Sequence, residues 1–162
     1  MDRSFSFSDM YLKAGEFLMS SDPARVITVL GSCVSVTMFN ERLGIGAICH
    51  ALLPSNTGTD DDFRYVDSSI MQMVKTFKRL KIDCREIEVK LFGGADMFQA
   101  SAGKRPRLPS IGEQNVKTAL RVIEKEKLKL RSLDVRGRSG RKLYYYIHAN
   151  RVYVKRLSEM GA

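Results

Sequence analysis

Short runs of alternating apolar and polar residues dominate this chain. "ARVITVL" (24–30), "VSVTMFN" (34–40) and "GIGAICHALL" (44–53) are β-branched or alternating and separated by turn material, which predicts three consecutive strands. Asp22-Pro23 introduces the first, and Pro54 ends the third because proline brings no N–H to a ladder. The polar, acidic "SNTGTDDDFRY" (55–65) predicts a surface loop. From Val66 to Leu80 the apolar positions 66, 70, 73, 74, 77 and 80 keep helical spacing, with Asp67 early and lysines late, as the helix dipole favours. "IEVKLFGG" (87–94) predicts a strand ending in two glycines, and 95–109 is irregular. A second helix is expected from Gly112 to Glu126, with Val116, Leu120 and Ile123 on one side. "KLRSLDV" (129–135), "RKLYYYIHA" (141–149) and "RVYVKRL" (151–157) read as strands, the last two forming a hairpin through "AN".

Two amphipathic helices among many short strands predict an α/β protein of the α+β type. The expected layering is a compact αβ sandwich of largely antiparallel sheets. No repeat and no long linker divides the chain, so residues 1–162 are expected to form one domain.

Composition narrows the classes. Apolar residues at 44% and charged ones at 28% describe a soluble globular chain, and no apolar run is long enough to span a membrane. The charged N-terminus lacks the apolar block of a signal peptide, so a cytoplasmic location is expected. Three cysteines at 33, 49 and 84, without CxxC spacing, argue against a disulfide framework and a zinc site; no metal or organic cofactor is expected. The net charge of +9 is concentrated in residues 117–156, which carry 13 Lys/Arg against Glu124, Glu126 and Asp134. Such a surface steers acidic partners, and it is equally the mark of a solvated helix face and a basic loop.

The chemistry sits in "LGSCVSV". If Phe39 pairs with Gly44, residues whose numbers sum to 83 oppose one another in a hairpin. Val34, Val36 and Met38 then share an apolar face with Cys49, Ala47 and Ile45, while Cys33 meets His50 on the other face. A thiol beside an imidazole passes its proton to that base and becomes the reactive thiolate. Gly31 permits close approach at the turn, and backbone amides around Gly31 and Ser32 are candidates for holding an oxyanion. Thr28 is the nearest hydroxyl on a neighbouring strand that could fix the imidazole tautomer. Against this stands the ordinary role of a lone cysteine as a small buried apolar residue, and of a lone histidine as a satisfied one. Cys49 points into the core in this register, Cys84 lies between a helix and a strand, and His148 follows three tyrosines; all three are expected to be structural.

At these residues the sequence resembles the CheD family, the chemoreceptor glutamine deamidases. "LGSCVSVTMFN" and "GIGAICHALLP" match the family's cysteine and histidine blocks, with the two residues 17 apart. "KLFGGADMF" (90–98), "IGEQNV" (111–116) and "RVYVKRL" continue the likeness in order, from about Tyr11 to Leu157. The resemblance implies hydrolysis of particular glutamine side chains of methyl-accepting chemotaxis receptors to glutamate, and an αβ sandwich fold. It places the nucleophile on Cys33 and the histidine on His50. The family's third residue is a threonine; aligned without a gap that position falls on Ile27, with Thr28 one residue later. A one-residue shift reverses a strand side chain, so Thr28 would need a bulge before Leu30 to serve. A CheC-type phosphatase is a further partner that the resemblance implies.

Three other readings are weighed. One is another Cys/His amidase or esterase, and one is a non-catalytic adaptor docking on receptors or a phosphatase through its basic face. The third is nucleic-acid binding through "YYYIH" and "RGRSGRK"; no nucleic-acid partner is expected, because tyrosines alternating on a strand ordinarily pack.

Overall fold

The computed structural model describes residues 7–56, 58, 62–97 and 108–158. Among the described residues, nine strands and two α-helices form a mixed α+β sandwich. Strands β1 (Ser8–Tyr11), β3 (Ala24–Leu30), β8 (Arg141–Tyr146) and β9 (Arg151–Arg156) make a four-stranded sheet in the order β1-β3-β8-β9. Strands β2 (Phe17–Ser20), β4 (Val34–Asn40), β5 (Ile45–Cys49), β6 (Glu88–Gly93) and β7 (Lys129–Val135) make a five-stranded sheet in the order β2-β5-β4-β6-β7. The pairs β1–β3 and β6–β7 are parallel and the remaining ladders antiparallel.

Alternation in the strands decides the layers. Val34, Val36, Met38, Ala47, Cys49, Val89 and Leu91 send their side chains to the helices α1 (Val66–Arg79) and α2 (Ile111–Lys125), forming the larger core. The opposite face of the same sheet, with Ile48 and Phe92, packs against Val26, Leu30, Leu143 and Tyr145 of the four-stranded sheet. β4 is therefore buried on both faces although its sequence alternates: Val34, Val36 and Met38 face the helices, and Ser35 and Thr37 are buried on the other side. Each helix begins and ends as its sequence suggests. Asp67 stands in the first turn of α1 and Lys78 and Arg79 in its last. Ser110 caps α2 by accepting the Glu113 N–H. No described helix is long and apolar enough to cross a membrane.

The strands expected over 24–30, 34–40, 87–94, 129–135 and 151–157 are present, as are both helices. Two parts of the expectation change. The strand expected over 44–53 ends at Cys49, and beyond it the chain makes isolated bridges, Val34 with Ala51 and Leu53 with Tyr65. The hairpin expected through "AN" has a 3-10 turn at Ile147–Ala149, closed by Asn150 in the left-handed conformation. β1 and β2 were not expected at all. Each is a four-residue edge strand without a buried alternate face, so neither shows a period of two. Most of the stretch 95–109, and part of the 55–65 loop, lies outside the described residues.

Candidate active site

Cys33 and His50 stand at the same end of the five-stranded sheet, one residue before β4 and one after β5. The register that joins those strands corrects the sequence reading. Thr37 pairs with Ile48, Met38 with Ala47 and Asn40 with Ile45, so opposed residues sum to 85 rather than 83. The cause is the turn. Gly44 has φ +63° and closes the loop in the left-handed region, and Asn40 holds that loop by accepting the Leu43 N–H at 2.9 Å, so neither Phe39 nor Gly44 ends the ladder as expected. A slip of two preserves faces. The Val34–Ala51 bridge continues the register, so His50 lies across from Ser35, and Cys33 across from Leu52. Cys33 and His50 are thus diagonal neighbours on one face, not a directly opposed pair; such positions are about 7–8 Å apart between backbones. Cys33 packs against the cluster of Leu30, Phe92 and Leu143 between the sheets.

His50 is 5% exposed, and its main chain is fastened on both sides: its N–H donates to the Glu16 carbonyl, and its carbonyl accepts from the Gly15 N–H. Across the sheet interface Thr28, 2% exposed, brings its hydroxyl to 2.7 Å from His50 Nδ1. No bulge is required. β3 pairs with β8 in unbroken register from Arg25 to Leu30, and its alternation turns Val26, Thr28 and Leu30 inward while Val29 is 52% exposed. The gapless position, Ile27, is buried on the other face and has no hydroxyl to offer.

Proton counting fixes the imidazole tautomer. Thr28 has one hydroxyl hydrogen, and it donates that hydrogen to the Leu12 carbonyl at 2.8 Å. The Thr28 oxygen must then accept from His50, so Nδ1 carries the ring hydrogen and Nε2 carries the lone pair. Burial lowers the His50 pKa, opposed by the Glu16 carboxylate. Burial likewise raises that of the Cys33 thiol, while the residue's own N–H, lying near the sulfur, pulls it down. Both shifts favour the neutral pair at rest, where the sequence suggested a standing thiolate.

The turn carrying Cys33 is gripped from two directions. Gly94 N–H donates to the Cys33 carbonyl at 2.8 Å and Ala95 N–H to the Gly31 carbonyl at 3.0 Å. Gly93 allows this approach: at φ +104° a β-carbon would stand 2.2 Å from the Cys33 oxygen. Gly31 itself is not left-handed; its open side is covered by Met97, whose Cγ would lie 3.1 Å from a β-carbon there. From α2, the Asn115 side-chain amide donates to the Ser32 and Leu52 carbonyls, each at 2.9 Å. The stretch "IGEQNV" carries no motif that marks Asn115. The signal was a polar residue on the apolar stripe of a helix, among Gly112, Val116 and Ala119.

The remaining candidates fall elsewhere. Cys49 is buried on the helix side of the sheet, its thiol pushed up to about 12 by burial. Cys84 is partly buried against that core, in the 3-10 turn Cys84–Glu86. His148 stacks on Phe7 with ring centroids 4.7 Å apart. Part of the C-terminal basic charge is paired on the protein itself: Lys117, Arg131, Arg136, Arg141 and Arg156 pair with Glu113, Glu88, Asp96 and Asp134.

The profile of the family described as CheD chemotactic sensory transduction matches residues 52–156. That span begins two residues past His50, but whole-chain relatives extend further. A Geobacter sulfurreducens protein named probable chemoreceptor glutamine deamidase CheD 2 is 48% identical over 153 residues, covering 94% of this chain and 92% of its own. A Maridesulfovibrio salexigens protein named probable chemoreceptor glutamine deamidase CheD is 39% identical, covering 93% of this chain and 92% of its own. A Thermococcus kodakarensis protein of that same name is 32% identical over 132 residues, with 80% of each chain covered. Alignments covering 93–94% of 162 residues necessarily run through positions 33 and 50.

Proposed function

The chain belongs to the CheD family, and from that premise we propose that it is a chemoreceptor glutamine deamidase, a protein-glutamine glutaminase with Cys33 as nucleophile and His50 as base. The observation that carries the residue assignment is the Thr28–His50 hydrogen bond, which leaves Nε2 unprotonated on the face it shares with Cys33.

The reaction runs through a thioester. His50 Nε2 takes the Cys33 proton as the sulfur attacks the carboxamide carbon of a receptor glutamine. The oxygen becomes anionic and is held by backbone amides around Ser32 and Cys33, beside Gly31. His50 returns the proton to the amide nitrogen, the C–N bond breaks and ammonia leaves. Water then attacks the thioester carbon, giving a proton to His50; the C–S bond breaks, glutamate is released and Cys33 is reprotonated. Thr28 keeps the ring in the tautomer that both half-reactions need. No step uses a metal or an organic cofactor.

One domain over residues 1–162, working in the cytoplasm, suffices for this chemistry. Its substrates are methyl-accepting chemotaxis receptors, and a CheC-type phosphatase is a second partner. Mass spectrometry of purified receptor fragments tests the reading: the protein should add about one dalton at particular glutamines and release ammonia. Cys33→Ala should do neither. Unchanged ammonia release by folded Cys33→Ala would end the proposal.

A further inference from the structure

We infer that Asn115 is a positioning residue that aims the oxyanion-binding amide of the Cys33 turn. The inference rests on the catalytic reading of Cys33 and His50 given above.

The argument begins with what one side chain holds. Asn115 is fully buried on α2, and its single amide nitrogen spends both hydrogens on carbonyls that are remote in sequence, those of Ser32 and Leu52. Its orientation is fixed by these partners. Rotating the amide would set its oxygen 2.9 Å from two carbonyl oxygens, which repel it. The Asn115 Oδ1 atom is buried and accepts no hydrogen bond. A buried acceptor left so is unfavourable, and an apolar residue would avoid that cost while orphaning two carbonyls instead. Asparagine is the side chain that satisfies both from one helix position.

Those carbonyls belong to the two segments that matter. The Ser32 carbonyl and the Cys33 N–H are parts of one planar peptide unit, and point in opposite directions. Fixing the first therefore aims the second. Leu52 is two residues beyond His50, where the regular β4–β5 ladder has given way to the isolated Val34–Ala51 bridge. Asn115 thus ties the nucleophile's peptide plane to the segment carrying the base, at the point where strand pairing stops. The Gly31 and Cys33 carbonyls on either side are held by Ala95 and Gly94, and Asn115 holds the plane between them; without it the Cys33 N–H tilts from the position where negative charge develops, and preorganised donors of this kind are worth about 10²–10³ in kcat.

The test compares wild type with Asn115→Leu, which has similar volume and no donors, and with Asn115→Asp, which keeps the shape and loses at least one donor. Rates are expressed per Cys33 titrated by stoichiometric alkylation, with folding checked by circular dichroism. A positioning role predicts that kcat per site falls tenfold or more, KM stays within about twofold, and melting temperature does not track the loss. If a folded variant keeps kcat per site within twofold, whichever of the two folds, Asn115 merely supports the fold and the inference is overturned. Cys33→Ala and His50→Ala separate the two levels. If both remain active, the catalytic reading fails and Asn115 falls with it. If both are inactive while Asn115→Leu is fully active, only the inference about Asn115 fails.

Discussion

Thr28 and His50 meet across the two sheets, hydroxyl to Nδ1 at 2.7 Å, with the hydroxyl hydrogen given to Leu12. The direction of that donation settles which ring nitrogen is free. It also ties the imidazole to a main-chain carbonyl just beyond the edge strand β1, so a residue with no chemistry of its own helps orient the proposed base.

Replacing Thr28 by Val keeps the shape and removes the acceptor for Nδ1–H. A buried hydrogen bond lost this way is worth about 1–3 kcal/mol, so turnover should fall about ten- to a hundredfold. Thr28→Ser retains the hydroxyl and should lose much less. Ammonia release by both variants checks the pair; equal rates in Thr28→Val and wild type would remove Thr28 from the mechanism.

His50→Ala should lower turnover about 10²–10⁴-fold, the usual contribution of a positioned acid–base group. Cys49→Ala should leave the rate per folded molecule unchanged, because that side chain lies on the helix side of the sheet. Parallel ammonia assays on the two variants separate a required base from an inert thiol.

The pH dependence follows from the direction of the His50 shift. The proposed mechanism needs a neutral imidazole, and burial lowers its pKa, so kcat/KM should hold as pH falls through about 6.5 and decline only below it. Stability has the same sign. Below about 6.5 the unfolded chain takes up a proton that the folded His50 refuses, so this contribution is present at neutral pH and is lost as pH drops toward the folded value. Thermal melts from pH 8 to 5 should show an acid loss that is reduced in His50→Gln.

Gly93→Ala should be poorly tolerated. The new β-carbon would combine φ +104° with a 2.2 Å approach to the Cys33 carbonyl oxygen. Backbone strain and overpacking together cost at least about 2 kcal/mol, which lowers the melting temperature of a chain this size by about 4–8 °C. Activity per folded molecule should fall as well, since the atom displaced belongs to the proposed nucleophile, Cys33.

The parts legible in the sequence are those that packing repeats. Val34, Val36 and Met38 announced a core face, and with it the shared opposite face of Cys33 and His50. The two-residue slip in register was hidden because it leaves every face unchanged; only the left-handed Gly44 and the Asn40 side chain distinguish the two hairpins. Thr28 was nameable as a hydroxyl in reach, but its inward direction depended on the unbroken β3–β8 ladder, and its donation to Leu12 on a segment that no periodicity revealed. Asn115 was invisible as a partner because its contacts lie 83 and 63 residues away.

The imidazole belongs to the five-stranded layer, while the hydroxyl that orders it belongs to the four-stranded one. On the proposed mechanism, catalytic competence is therefore a property of the seam between them. Gentle urea that loosens this seam should extinguish deamidation while most helical ellipticity survives, making the enzyme's own rate the earliest reporter of its unfolding.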